Sequence, residues 1–215
     1  MMNHLIKIVV ADDHPMLLKG LRNELIEQGY NVLEGAINGA QALDLISSEH
    51  PDIAIIDISM PLLNGFEVIN KCTEKGIKTK FIVLTSFKEK GYVIRAKKLN
   101  ISGYLLKDEP FIEIKNSIQA VMRGEFYASK VFNDVINTEI SPLIEKIRLL
   151  SPSERTIVRL IAQDKTSKEI ADLLTISYRT VQKHRSNIIG KLDLPSDSDA
   201  LSQWILNNKD IFLSL

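Results

Sequence analysis

Three apolar runs each end on a charged residue, and this limits the fold more than any other feature of the chain. Ile6-Lys7-Ile8-Val9-Val10-Ala11 leads into Asp12-Asp13, Ile53-Ala54-Ile55-Ile56 into Asp57, and Gly103-Tyr104-Leu105-Leu106 into Lys107. Short, nearly continuous apolar runs suit strands covered on both faces, as in a parallel sheet wrapped by helices. When strands and helices alternate, the strands run parallel and their carboxyl ends share one edge of the sheet. Three carboxylates and one ammonium then converge in a single crevice. That grouping is costly unless a cation or a phosphoryl group completes it.

Two more apolar runs, at 30–34 and 81–85, bring the expected strands to five. Between them Met16, Leu17, Leu21 and Leu25 fall near helical spacing, as do Ala42, Leu45 and Ile46, and Phe66, Ile69 and Cys72. The expected fold is α/β: a doubly wound five-stranded parallel sheet with strand order 2-1-3-4-5, filling residues 1–124. Residues 125–147 are less regular, contain Pro142, and read as a linker that holds a helix of its own. From 148 to 215 the pattern is all helical. Ser151-Pro152-Ser153-Glu154 and Thr166-Ser167-Lys168-Glu169 have capping-box spacing, and Ser177 is a good cap for a third helix. Apolar stripes at Ile157, Leu160 and Ile161, at Ile170, Leu173 and Leu174, and at Val181, Ile188 and Leu192 follow these caps. A last helix carries Leu201, Trp204 and Ile205, making four helices with a helix-turn-helix at their centre.

Composition is ordinary for a globular protein, with 45% hydrophobic and 25% charged residues. The single cysteine, Cys72, excludes an internal disulfide and reads as a buried helical side chain. No apolar run reaches the roughly 18 residues of a membrane span. The opening residues lack a charged leader region and a small-residue cleavage site, so a cytoplasmic location is expected. The net charge of zero hides a division. Residues 146–215 hold 11 basic and 8 acidic residues, leaving 16 and 19 for residues 1–145. Six basic residues face two acidic ones between Lys165 and Lys191, a weakly basic tail on a weakly acidic body.

At the crevice, a hard divalent cation such as Mg²⁺ relieves the repulsion among Asp12, Asp13 and Asp57. Lys107 offers a compact positive charge to a phosphoryl oxygen, and Thr85 adds a hydroxyl at the same edge. The set fits aspartyl-phosphate chemistry, in which one carboxylate attacks while metal and lysine hold the transferring charge. His14, beside the acidic pair, reads as a helix-start residue at the rim.

These residues resemble the flavodoxin-like receiver domain of bacterial two-component response regulators. The resemblance implies that Asp57 is the phosphoacceptor and that Asp12 and Asp13 form the metal-binding pair. It implies that the Ser59 backbone carbonyl also binds the metal, that Thr85 is the switch hydroxyl, and that Lys107 binds the phosphoryl group. Tyr104 matches the aromatic residue that turns inward on activation. Met60-Pro61 and Asn64-Gly65 look like the family's loop after the phosphoacceptor. Pro110 stands three residues after Lys107, whereas many receivers place proline immediately after the lysine.

In the helical domain, Arg179, Gln182, Lys183 and Ser186 share one face of the third helix. Glutamine suits adenine and lysine suits guanine, so Gln182 and Lys183 are the expected base readers. Lys168, Thr180, Arg185 and Lys191 are better placed for phosphate. The segments 150–154, 167–171 and 180–188 resemble the LuxR-type DNA-binding domain. Asp164-Lys165 departs from that pattern, as does Leu194-Pro195-Ser196-Asp197, whose acid is unusual near a DNA-adjacent loop.

A receiver followed by a LuxR-type domain resembles the NarL/FixJ-type response regulators. It implies a sensor histidine kinase as phosphoryl donor, double-stranded DNA as target, a homodimer in the active state and Mg²⁺ as cofactor. It implies a transcription factor rather than an enzyme. Rival readings are a haloacid-dehalogenase-type phosphatase, a flavin binder and a phosphorylation-independent regulator of the same architecture. The phosphatase needs a second Asp where this chain has Ser59, and Asp12-Asp13 would repel a flavin phosphate.

Overall fold

The computed structural model describes residues 6–87, 90–195 and 199–214. The opening residues considered for a leader, apart from Ile6, and Ser196 and Asp197 of the atypical loop lie outside the described residues. The chain divides into two compact units, one holding residues 6–87 and 95–133 and the other residues 90–94 together with those from Asp134 onward. Among the described residues no helix is long and apolar enough to cross a membrane.

Strands β1 (Lys7–Ala11), β2 (Asn31–Val32), β3 (Ile53–Ile56), β4 (Lys80–Thr85), β5 (Gly103–Leu106) and β6 (Tyr127–Ala128) are all parallel, in the order β2-β1-β3-β4-β5-β6. Helices α1 (Pro15–Glu27), α2 (Gly39–Glu49), α3 (Gly65–Glu74), α4 (Lys90–Lys98) and α5 (Phe111–Met122) alternate with them. Every residue of β3 and β5 is buried, as continuous apolar runs require. On one face Ile8, Val10, Ile55, Ile82 and Leu105 pack with Leu18, Leu21 and Leu25 of α1 and Ile114 and Ile118 of α5. On the other, α2 lies against β1 and α3. Cys72 of α3 is buried, and burial pushes its thiol up to about 11, which makes it inert.

Two strands differ from the sequence expectation. The 30–34 run forms only a two-residue strand at the sheet edge, where pairing continues irregularly through Leu33 N to Ile8 O (2.8 Å) and Ala36 N to Val10 O (3.0 Å). The sheet also has six strands rather than five. After α5, Gly124 adopts a left-handed φ of 82°, and the turn lays Tyr127–Ala128 along the open edge of β5.

The stretch read as a linker is folded throughout: α6 (Lys130–Val135), a π-helical turn (Ile136–Ile140) and α7 (Ser141–Arg148) follow β6. Pro142 follows the π-helical turn directly within a continuous helical run, and having no N–H it cannot donate back along the helix. The second unit continues with α8 (Pro152–Ala162), α9 (Ser167–Leu174), α10 (Tyr178–Leu192), α11 (Ala200–Leu206) and α12 (Lys209–Ser214). Both expected capping boxes form, Ser151 with Glu154 and Thr166 with Glu169. Its core joins Ile157, Val158, Ile170, Val181, Ile188, Leu192, Leu201 and Phe212. Leu173, read as part of the apolar stripe, is instead 59% exposed, because Ile170 and Ala171 take the inward positions of a short helix. The expected last helix is two, broken where the Asn208 side chain donates to the Trp204 carbonyl (2.7 Å).

Candidate phosphoacceptor site and nucleic-acid interface

Strand register assembles the crevice. The β1–β3 pairing sets Ala11 opposite Ile56, so Asp12 and Asp57 leave their strands side by side. The β4–β5 pairing sets Thr85 opposite Leu106, so Lys107 emerges next to Thr85, and its amide donates to the Thr85 carbonyl (2.9 Å). Lys107 Nζ lies 2.8 Å from Asp12 Oδ2 and 2.8 Å from Asp57 Oδ2. Both carboxylates are almost wholly buried, at 2% and 3% exposed.

Burial is the main influence on Asp57 and raises its pKa. Asp12 adds to that rise, while Lys107 and a bond from the Ser59 amide work against it. Burial also presses on the Lys107 ammonium, but bonds to Asp12 and Asp57 outweigh it and hold its pKa above the usual lysine value. The crevice therefore contains a charged lysine as counter-ion to two buried acids.

Asp12, Asp13, His14 and Asp57 offer ligand atoms within 4.8 Å of one another. Asp13 Oδ1 is buried and accepts no hydrogen bond, although His14 Nδ1 stands 2.9 Å away. A hard, oxygen-seeking cation would satisfy that atom, so the residues present fit Mg²⁺. His14 is the N-cap of α1 without a capping bond, and its side chain is 69% exposed.

The loop after Asp57 is folded back on it. Gly65 N donates to Ile58 O (2.9 Å), and a Cβ at Gly65 would strike the Asp57 carbonyl oxygen. Asn64 and Glu67 form a capping box that starts α3 there. Ser59 is exposed at the loop's surface. Thr85 is fully buried, and its hydroxyl accepts from Phe87 N (3.3 Å). Tyr104 is also fully buried and points inward, its hydroxyl donating to Phe87 O (3.0 Å). Its ring stacks on Phe132 of α6 at 4.3 Å. Sequence reasoning missed Phe132, whose only signal was an aromatic residue in an irregular stretch.

In the helical unit the turn between α9 and α10 passes through Thr175 at φ 54°. Ser177 then caps α10, accepting from Thr180 N (3.0 Å), and the Thr180 hydroxyl bonds back to it (2.8 Å). Arg179, Lys183, Ser186 and Lys168 are exposed, and Gln182 is half-buried. Besides Thr180, two more of the expected phosphate binders are engaged within the unit. Lys191 Nζ is 2.7 Å from Glu154 Oε2, and Arg185 donates to Ser202 Oγ (3.3 Å) while burial lowers its pKa.

Comparison with known proteins follows the same division. The response regulator receiver domain matches residues 8–119, and the luxR family of bacterial regulatory proteins matches residues 148–203. The chain is 35% identical over 201 residues to the transcriptional regulatory protein DesR of Bacillus subtilis, covering 93% of this chain and 96% of that one. It is 31% identical over 204 residues to the nitrate/nitrite response regulator protein NarL of Escherichia coli K12, covering 92% and 94%. Among solved structures, the complex of the two-component response regulator RcsB with DNA aligns with a TM-score of 0.61 at 25% identity, covering 94% of this chain and 98% of that one. A receiver and a helix-turn-helix in one chain define a phosphorylation-controlled, DNA-binding regulator of transcription. The chain belongs to the response regulators that join a receiver domain to a LuxR-type DNA-binding domain.

Proposed function

We propose that Asp57 takes a phosphoryl group from the phosphohistidine of a partner sensor kinase. One Asp57 oxygen attacks phosphorus, the P–N bond to histidine breaks, and the imidazole leaves with its electron pair. The observation that carries this reading is Lys107 Nζ at 2.8 Å from both Asp12 and Asp57. The ammonium beside Asp57 is then in place for a phosphoryl oxygen. Asp12, Asp13, Asp57 and the Ser59 carbonyl would hold Mg²⁺, which when bound neutralises charge on the transferring group. Thr85 and Tyr104 serve as the switch that carries the change outward.

The receiver comprises residues 1–124, with 125–147 joining it to a DNA-binding domain at 148–215. There Gln182 and Lys183 read bases, flanked by Arg179 and Ser186. Lys168, Thr180, Arg185 and Lys191 bind phosphate, the last two after release from Ser202 and Glu154. The active form is a cytoplasmic homodimer on two half-sites of double-stranded DNA.

Intact-mass spectrometry after incubation with Mg²⁺ and acetyl phosphate tests the reading. One phosphoryl addition is expected, and none in Asp57→Asn. An addition that persists in the variant would overturn the assignment.

A further inference from the structure

We propose that Phe132 is a positioning residue for the switch: its ring holds Tyr104 inward and ties helix α6 to the phosphoacceptor site. This rests on the reading of Tyr104 as the switch aromatic. The two rings are 4.3 Å apart with planes 27° from parallel, and both side chains are buried, at 0% and 3% exposed. Phe126 flanks Phe132 at 6.5 Å. The contact is not an accident of two mobile side chains, because the backbone is fixed on both sides of it. The β5–β6 register sets Ala128 opposite Tyr104, and Ser129 N donates to the Tyr104 carbonyl (3.3 Å). Ser129 is itself buried, and its hydroxyl accepts from Phe132 N (3.4 Å) at the start of α6.

The other end of Tyr104 faces the chemistry. Its hydroxyl donates to Phe87 O, and Phe87 N donates to the Thr85 hydroxyl. A continuous set of contacts therefore runs from Thr85 at the phosphoacceptor site, through Phe87 and Tyr104, to Phe132. Helix α6 leads along the chain into the π-helical turn and on to the DNA-binding unit.

An outward Tyr104 would leave the buried face of Phe132 without its partner. Aromatic stacking of this kind biases a two-state equilibrium by about 2- to 12-fold. If the inward-ring conformer is the one competent to take the phosphoryl group, whatever raises its population raises the rate of phosphorylation in proportion. Phe132 then sets how easily this receiver is switched.

The test uses the full chain with 3-fluorotyrosine in place of its five tyrosines, the Tyr104 ¹⁹F resonance being assigned by its loss in Tyr104→Phe. It is read in wild type, Phe132→Ala and Phe132→Leu before any phosphoryl donor is added. The rate of phosphorylation by acetyl phosphate with Mg²⁺ is then measured on the same samples. In Phe132→Ala the Tyr104 resonance should move toward that of solvent-exposed fluorotyrosine, and phosphorylation should slow several-fold. Phe132→Leu, which keeps apolar volume without the ring, should lie between. A merely structural Phe132 would lower the melting temperature without moving either readout. An unchanged Tyr104 resonance in folded Phe132→Ala overturns the proposal, and should that variant fail to fold, an unchanged resonance in Phe132→Leu does so. A wild type that takes no phosphoryl group would count against the phosphoacceptor reading, while the resonance would still decide the role of Phe132.

Discussion

Lys107 places its ammonium nitrogen 2.8 Å from Asp57 Oδ2, closing a buried ion pair at the mouth of the sheet. The pair does not fully compensate for burial, since Asp57 still has a raised pKa. Between the unfolded value of about 3.9 and that raised value the native state holds more protons, so stability falls as pH rises through this window. Ionised Asp57 therefore destabilises the receiver at neutral pH. Asp57→Asn should raise its melting temperature at pH 7, by roughly 2–4 °C for each kcal/mol relieved. Thermal scans should show the advantage shrinking as pH falls to about 4. Lys107→Met, which leaves two buried acids facing each other, should melt lower than wild type at pH 7 and recover toward it in acid.

Glycines in the receiver should divide by what surrounds them. Gly65→Ala drives a methyl group into the Asp57 carbonyl, so the loop behind the phosphoacceptor must shift. A loss of about 1–3 kcal/mol is expected, with slower phosphorylation by acetyl phosphate. Gly20, within α1, has open space around a built Cβ. Gly20→Ala should stabilise by roughly 0.5–1 kcal/mol and leave phosphorylation unchanged. Denaturant titrations of the two variants check both signs.

Glu154 is the buried acid of the helical unit, 3% exposed, and it caps α8 while pairing with Lys191. Burial presses its pKa up, but Lys191 and the Ser151 amide outweigh that and hold it below the usual glutamate value. Its contribution is present above the unfolded pKa of about 4.3 and is lost as pH falls through the lower native value. Glu154→Gln should therefore destabilise the helical unit by about 1–2 kcal/mol at pH 7. Circular-dichroism melts should show the difference closing in acid.

DNA binding should separate reading from anchoring. Gln182→Ala and Lys183→Ala should each weaken the preferred site by about 1–3 kcal/mol and relax base preference at one position. Lys168→Ala should weaken all sequences alike and reduce the slope of log affinity against log salt by about 1. Titrations of the phosphorylated chain at several salt concentrations, with selected and random duplexes, separate the two behaviours.

Legibility in the sequence followed the range of the interaction. Asp12, Asp57 and Lys107 could be placed because each follows a strand whose apolar run is visible locally, and parallel pairing does the rest. The caps at Ser151, Thr166 and Ser177 were equally local. What stayed hidden depends on partners far along the chain. The strand at Tyr127–Ala128 is too short for any periodicity and exists only because β5 offers an open edge. Glu154 and Lys191 are 37 residues apart, and nothing in either segment announces the pair. Arg185 likewise reads as a free basic residue until Ser202 is brought beside it.

The strand at Tyr127–Ala128 also bears on how such chains are recombined. A receiver cut at Gly124 and grafted to a foreign output domain would lose the cover on β5, leaving an exposed strand edge of the kind that invites aggregation. It would also part Tyr104 from Phe132. A chimaera joined after Asn133 would keep both, so the natural seam for exchanging output domains lies inside the first helix of the apparent linker.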